Sequence, residues 1–244
     1  MLQLSEVSRV LGGRRVLDRS SLFLGQQEIG VISGASGAGK TTLLRLIAGL
    51  EPPESGEISW RTEPLSGPNT WVSPWQRPFA MVFQDLGLWP HLTVSEHLAF
   101  VLRSRRELTR ADRRRMERRW LSELQIAELS HRYPAELSGG QQQRVAIARS
   151  LVRDPQLVLL DEAFAHLDKT TADVVWTVIE DWRRESGGTV LAVTHDTAWI
   201  ERHATQWFAL EEGHTRVRLL PNELRCTSRS SMASAGALCL PVRS

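Results

Sequence analysis

Gly34-Ala35-Ser36-Gly37-Ala38-Gly39-Lys40-Thr41 is the stretch of this 244-residue chain that decides its fold. It fits the pattern G-x-x-x-x-G-K-[ST], in which glycines let backbone N–H groups turn inward around phosphate oxygens. An apolar run at residues 29–33 predicts a buried strand before it, and the apolar spacing of residues 41–48 predicts a helix after it. Lys40 could reach the outer phosphates of a nucleotide, and the Thr41 hydroxyl could ligate Mg²⁺. This context favours a phosphate-binding loop over an ordinary glycine-rich turn with a surface lysine.

Two later segments carry chemistry that complements the loop: Leu137-Ser138-Gly139-Gly140-Gln141 and Leu157-Val158-Leu159-Leu160-Asp161-Glu162. The first precedes a predicted helix over 142–152, which Ser138 can cap, so it forms a second anion-binding helix end. The second predicts a buried strand whose tip carries Asp161, able to hold Mg²⁺ through water, and Glu162, able to polarise an attacking water. Alone, these segments would be interpreted as a plain helix cap and a solvated acidic pair. Beside a phosphate loop they indicate an ATPase.

Composition narrows the class of protein. The net charge of +2 creates no global field that demands nucleic acid. We find no apolar run near 18 residues, and the N-terminus lacks the basic flank and apolar region of a secretory signal. The two cysteines, Cys226 and Cys239, lie in the last twenty residues, so we expect no disulfide framework for the core and a reducing cytoplasm. Lys40 and Lys169 are the only lysines, which makes the position of Lys40 more informative.

Apolar strands alternate with helices along most of the chain, which predicts an α/β fold with helices on the faces of a parallel sheet. Ligands bind such sheets at the carboxyl ends of the strands, where the motifs fall. Residues 86–156 are interpreted as a mostly helical insert, and residues 206–210 and 215–219 as a hairpin. Residues 223–244 are Ser-rich with little periodicity and are expected to be a disordered tail.

The motifs at residues 34–41, 137–141 and 157–162, together with Gln84, Leu167-Asp168 and His195, occur in the order and spacing of an ATP-binding cassette (ABC) ATPase subunit. The resemblance covers residues from about 1 to 215. It implies a P-loop NTPase (RecA-like) core with an antiparallel β subdomain and an inserted α-helical subdomain, within an ATP-binding domain over residues 1–222.

The same resemblance implies roles for single residues. Gln84 resembles the glutamine that contacts Mg²⁺ and the attacking water, and His195 the switch histidine at the γ-phosphate. Asp168 resembles an aspartate that communicates across a dimer. Alone, these could be a polar strand end, a structural turn histidine and a helix cap. The ATP and Mg²⁺ site that the resemblance implies also includes Asp161, Glu162 and, as a contact to adenine, Leu11. Its remaining residues are Gly34, Ala35, Ser36, Gly37, Ala38, Gly39, Lys40, Thr41, Thr42, Ser138, Gly139, Gly140 and Gln141.

Leu11 and Ala163 depart from the family pattern. Leu11 stands about 29 residues before the loop lysine, where the family usually has an aromatic residue that stacks on adenine. Ala163 stands where a proline commonly follows the glutamate. Leu11 can pack on a base without ring stacking, so base affinity is the property that this departure affects. Neither change removes a catalytic group.

The helical insert raises two further expectations. Leu88 and Trp89, after Gln84, resemble the segment that shapes a groove for a permease helix in bacterial importers; the alternative is packing within the insert. The arginine run at 103–119 is interleaved with acidic residues, and a helical pair between Arg113 and Glu117 is available. We therefore interpret the run as a solvated face and expect neither nucleic acid nor anionic lipid as its partner.

The resemblance implies the ATPase subunit of an ABC transporter of the bacterial importer type, peripheral to the cytoplasmic face of the inner membrane. Its partners would be integral-membrane permease subunits, a second copy of the chain and an extracytoplasmic substrate-binding protein. Two copies would close head to tail, with each ATP between Lys40 of one and Ser138 of the other. The alternatives are an exporter subunit and a soluble cassette ATPase acting on DNA or ribosomes; a P-loop kinase or GTPase would lack the residue 137–141 motif.

Overall fold

Two β-sheets organise the computed structural model, which describes residues 1–165 and 167–218. The larger sheet is six-stranded and contains β3 (Ile29–Ser33), β7 (Phe79–Val82), β8 (Leu157–Asp161), β9 (Thr189–Val193), β10 (Gln206–Glu211) and β11 (His214–Arg218). Its spatial order is β11-β10-β3-β9-β8-β7, and every pair is parallel except the β10–β11 hairpin. The parallel strands therefore present their carboxyl ends at one edge.

The second sheet is antiparallel and five-stranded. It contains β1 (Leu2–Leu11), β2 (Arg14–Leu24), β4 (Ser55–Trp60), β5 (Glu63–Gly67) and β6 (Thr70–Trp71), in the order β2-β1-β4-β5-β6. Gly12 and Gly13, with φ of 56° and 79°, make the two-residue turn between β1 and β2, because this turn type needs positive φ at both positions. The turn places Leu11 opposite Arg14 at the tip of the hairpin.

Helices cover the parallel sheet and form the insert. They are α1 (Lys40–Ala48), α2 (Val94–Leu102), α3 (Arg110–Glu123), α4 (Gly139–Leu151), α5 (Lys169–Ser186) and α6 (Thr197–His203), with short 3₁₀ turns at Pro74–Gln76, Ala127–Leu129 and Pro134–Glu136. Three of them, α2 to α4, lie between β7 and β8, within the helical insert that was predicted over residues 86–156. None of the helices within the described ranges is long and apolar enough to cross a bilayer.

The apolar core forms two clusters, one on each side of the parallel sheet. One joins α4, α5 and the helical insert, with Trp120, Trp176 and Trp182 among its buried side chains. The other joins α1 to the antiparallel sheet through residues such as Leu43 and Ile58. Burial of this apolar surface holds the helical insert and the antiparallel sheet against the parallel sheet. The carboxyl ends of the parallel strands are left for polar side chains.

The predicted α/β fold class is confirmed, and most elements agree within one to three residues with their predicted bounds. The helix predicted over 142–152 begins earlier, at Gly139, because Ser138 caps it directly. The predicted pair between Arg113 and Glu117 was wrong: Glu117 accepts a hydrogen bond from Ser95 on α2, and Arg113 donates to the Arg105 carbonyl at 2.8 Å. The expected tail at 223–244 lies outside the described residues.

Candidate nucleotide site

The phosphate loop connects the carboxyl end of β3 to the first turn of α1. Gly39 has φ 100°, and a Cβ there would lie 2.8 Å from Val16 Cγ1, so only glycine fits. A Cβ on Gly34 would lie 2.4 Å from the Leu210 carbonyl oxygen. The Lys40 side chain is only 6% exposed, and its Nζ donates to the carbonyl oxygens of Gly34 and Ala35, each at 2.9 Å. The loop thus holds the Lys40 ammonium group at the N-terminus of α1, where a bound anion is favoured.

Asp161 and Thr41 form the candidate cation-binding pair. Thr41 Oγ1 donates to Asp161 Oδ1 at 3.2 Å, and the Asp161 side chain is 2% exposed. Burial raises the pKa of Asp161, while the Thr41 hydrogen bond and the charge of Lys40 oppose that rise. With Gln84 nearby, the donors are carboxylate, hydroxyl and amide oxygens, the set that a hard cation such as Mg²⁺ prefers. The residues therefore fit the predicted metal.

Two side chains from neighbouring strand ends meet Glu162. Gln84 Nε2, just beyond β7, donates to Glu162 Oε2 at 3.3 Å. His195 Nε2, just beyond β9, lies 3.3 Å from Glu162 Oε1. Because β7, β8 and β9 are adjacent, residues far apart in sequence converge on one carboxylate. Such a constellation can orient a water and receive its proton.

A cavity of about 400 Å³ extends from the loop to this carboxylate. Leu11, on the hairpin of the antiparallel sheet, and Glu162 both line it. Val16 also lines the cavity and was not predicted, because only the folded structure brings its side chain against Gly39 of the phosphate loop. Gly34, Ala35 and Ala38 belong to the predicted loop but do not line the cavity. The other lining residues were predicted: Ser36, Gly37, Gly39, Lys40, Thr41, Thr42 and Gln84.

The second predicted anion site lies outside this cavity. Ser138 Oγ accepts from the Gln141 N–H at 3.3 Å, and Gln141 Oε1 accepts from the Ser138 N–H at 2.9 Å, which is a capping box. Ser138 and Gly139 are exposed, and Gly140 lies close enough to Leu167 that an added Cβ would be 3.3 Å from its Cδ2. None of residues 138–141 lines the cavity that holds Lys40. Within one chain, the phosphate loop and the N-terminus of α4 therefore do not share this cavity.

Asp168 acts as the helix cap that the sequence allowed. Its carboxylate accepts from Thr171 N at 3.0 Å and from Thr171 Oγ1 at 2.7 Å, at the start of α5. These hydrogen bonds lower the pKa of Asp168. The carboxylate is therefore ionised at neutral pH, beside the turn that carries Glu162.

Leu88 and Trp89 pack within the helical insert, which confirms the alternative interpretation of these side chains. The Trp89 ring stacks on His97 with centroids 5.5 Å apart and meets the edge of Phe100 at 5.1 Å. Arg149 lies over the same indole, at 5.2 Å. Phe100 is 52% exposed, so the cluster presents an apolar surface on α2, the first helix of the insert.

The fold and the loop together define a P-loop NTPase. Comparison with known proteins narrows the class. Residues 17–165 match the ABC transporter family, and the chain belongs to that family.

Individual relatives give the same result. The chain is 40% identical over 195 residues to the spermidine/putrescine import ATP-binding protein PotA of Nitrosomonas eutropha, across 80% of this chain and 52% of that protein. It is 40% identical over 191 residues to the thiamine import ATP-binding protein ThiQ of Histophilus somni, across 78% of this chain and 86% of that protein. The chain thus spans about half the length of the polyamine relative and most of the thiamine relative.

Among solved structures, the fold matches the dimeric structure of MJ0796, a bacterial ABC transporter cassette. The TM-score is 0.80 at 29% sequence identity, and the match covers 90% of this chain and 99% of that chain. A second structure of the same cassette, a dimer in a post-hydrolysis state bound to ADP and Pi, matches with a TM-score of 0.79. The likeness therefore extends over nearly the whole cassette.

Proposed function

We propose that this chain is the ATP-binding and ATP-hydrolysing subunit of an ABC importer. The observation that carries the proposal is the convergence of Gln84 and His195 on Glu162, which lines the same cavity as the phosphate loop. A carboxylate held in this way is suited to activate water, and the loop is suited to hold the phosphates that the water attacks. The import relatives support a role in uptake.

Binding of ATP follows from the loop. The backbone N–H groups of residues 36–41 and the N-terminus of α1 receive the phosphates, and Lys40 neutralises the outer ones. Leu11 and Val16 pack against the adenosine end of the cavity. Mg²⁺ held by Thr41, Asp161 and Gln84 would neutralise charge on the β- and γ-phosphate oxygens.

Hydrolysis follows from Glu162. The carboxylate accepts the proton of a water as the water oxygen forms a bond to the γ-phosphorus and the bond to the bridging oxygen of ADP breaks. Gln84 orients the carboxylate from one side, and His195 donates toward the transferred phosphoryl group from the other. Lys40 stabilises the charge that develops on the leaving ADP, and the products are ADP and phosphate.

A second copy completes the site in this proposal. Ser138 and the N-terminus of α4 are exposed and lie outside the cavity of their own chain. Such a helix end is a phosphate site that needs a phosphate from elsewhere. The dimeric solved relative supports a head-to-tail pair in which ATP on one copy meets Ser138 of the other.

The membrane partners are inferred from the helical insert. Phe100 is exposed and packs on Trp89, and Arg149, which lies over Trp89, donates to the Leu86 and Gly87 carbonyls just after Gln84. Contact with a permease helix at Phe100 could therefore move Gln84, which contacts Glu162. We therefore place the chain on the cytoplasmic face of the inner membrane, bound to permease subunits. An extracytoplasmic binding protein would deliver the solute, which this subunit itself does not select.

The test is ATP hydrolysis and nucleotide binding by the full chain and by Lys40→Met. Loss of the ammonium should abolish ATP binding at micromolar nucleotide and reduce hydrolysis to background. Arg45→Met is the matched control, because Arg45 lies about one turn further along α1 and, among the residues that the structure describes, pairs with Glu51 at 2.7 Å. Equal nucleotide affinity in Lys40→Met and the wild-type chain would contradict the proposal.

A further inference from the structure

The turn that carries Glu162 has an unusual backbone. Glu162 has φ 51°, the left-handed region that side chains other than glycine and asparagine rarely adopt. Its N–H donates to the Val193 carbonyl at 3.2 Å, and its own carbonyl accepts from Ala165 N–H at 3.1 Å. Such a conformation persists only where the surrounding structure holds it.

Phe164, two residues after Glu162, belongs to an aromatic cluster with Trp176, Trp199 and His203. The centroid of the Phe164 ring lies 5.5 Å from that of Trp199 and 6.2 Å from that of Trp176. The centroids of the two tryptophan rings are 4.7 Å apart, and the rings meet edge to face. His203 packs on both indoles, at 4.7 and 5.2 Å. These are the separations at which aromatic pairs attract one another. The cluster therefore anchors the Glu162 turn through Phe164.

The aromatic cluster also reaches the loop that carries His195. Trp199 lies in the first turn of α6, and its backbone N–H donates to the Asp196 carboxylate at 3.0 Å. Asp196 directly follows His195, so the backbone of Trp199 is tied to the histidine loop while its ring is packed on Phe164. Trp199 thus links the two loops whose side chains, Glu162 and His195, lie 3.3 Å apart.

We propose that Trp199 is a positioning residue for ATP hydrolysis, which sets the separation of Glu162 and His195 through Phe164. This inference rests on the proposed function. Trp199 and Phe164 are only half-buried, and with Glu162 and His195 they line a cavity of about 590 Å³. Removal of the ring would enlarge that cavity and leave the Glu162 turn without its support, whereas residues 34–41 of the phosphate loop are not among the residues that line it.

The experiment compares Trp199→Leu with Trp182→Leu in the full chain. Trp182 lies on α5, is buried, and is not part of the aromatic cluster, so it controls for loss of an indole from the core. We expect Trp199→Leu to lower kcat at least tenfold, because small displacements of reacting groups have large effects on rate. Its KM for ATP and its equilibrium affinity for a fluorescent ATP analogue should stay within twofold of wild type. Trp199→Phe should recover most of kcat.

Phe164→Leu gives a second measurement that does not depend on the folding of the Trp199 variant. It should lower kcat in the same way, and the double variant with Trp199→Leu should lose little more than the larger single loss, because both act through one contact. The inference is overturned if Trp199→Leu keeps its kcat, if it loses ATP affinity in parallel, or if Trp182→Leu loses kcat equally. An inactive wild-type chain would instead remove the proposed function itself.

Discussion

Arg77 connects the phosphate-loop helix to the antiparallel sheet, and its replacement by methionine should destabilise the protein strongly. The side chain is fully buried, and burial lowers its pKa to about 10, so it remains charged at neutral pH. Its guanidinium lies against Gly49, where an added Cβ would be 2.4 Å from Nε. It donates five hydrogen bonds, to the carbonyl oxygens of Val72, Leu46, Ile47 and Leu65 and to the hydroxyl of Ser66.

The magnitude follows from the acceptors left behind. Within the described ranges, the carbonyls of Ile47 and Val72 accept no backbone N–H, so Arg77→Met leaves both without a donor. Two such buried groups cost about 2–6 kcal/mol of unfolding free energy. Removal of a buried charge offsets part of this loss, and we expect a net loss of about 2–4 kcal/mol. For a chain of this length, that lowers the melting temperature by roughly 4–16 °C.

Urea unfolding and thermal melting of Arg77→Met would test this estimate. Arg114→Met is the matched control, because Arg114 is exposed and makes no ion pair in the described part of the chain, so its stability should stay within about 0.5 kcal/mol of wild type. ATP affinity of Arg77→Met should also fall, since Arg77 binds the last turn of the helix whose first turn is the phosphate loop. A melting temperature of Arg77→Met within 2 °C of the control would refute the reasoning.

Leu11→Tyr should tighten ATP binding about two- to tenfold by calorimetry, because it adds ring stacking worth about 0.5–1.5 kcal/mol at the cavity end; an unchanged dissociation constant would remove residue 11 from the base site. His97→Gln should weaken the pH dependence of stability. Burial lowers the pKa of His97, whose Nε2 accepts from Trp89 N–H at 2.9 Å, so the folded state binds fewer protons than the unfolded state. The unfolding free energy of the wild-type protein therefore falls as the pH drops below about 6.5. That of His97→Gln should fall less, because its amide oxygen does not titrate and can still accept the hydrogen bond from Trp89 N–H. Parallel melting curves of the two proteins from pH 7.5 to 5.5 would contradict this.

The parts of the fold that local patterns specify were predictable. β3, the phosphate loop and α1 are contiguous, and their periodicities and glycines indicate strand, turn and helix directly. The meeting of Gln84, Glu162 and His195 depends on the strand order β9-β8-β7, which no local pattern specifies. Resemblance to the family was needed to bring these three residues together.

The features that could not be predicted from the sequence depend on tertiary contacts. Val16 enters the site because it packs against Gly39 of the phosphate loop, and Arg77 stands in a segment with no periodicity that would mark it as buried. The pair Arg113–Glu117 would contribute only about 0.2–0.5 kcal/mol, so a hydrogen bond from Ser95 on another helix displaces it. Contacts of this kind are decided by elements that lie far apart along the chain.

In the proposed mechanism, ATP bound by one chain is closed in by a second copy. Light scattering of Glu162→Gln, which should bind ATP without hydrolysing it, tests this most directly. With saturating Mg²⁺ and ATP, we predict twice the monomer mass, and a return to the monomer when Gly139→Asp is added. That substitution fits its own chain, since nothing lies within 4 Å of an added Cβ, but it sets a negative charge against the partner's ATP. ATP-saturated Glu162→Gln that remains monomeric would contradict the account.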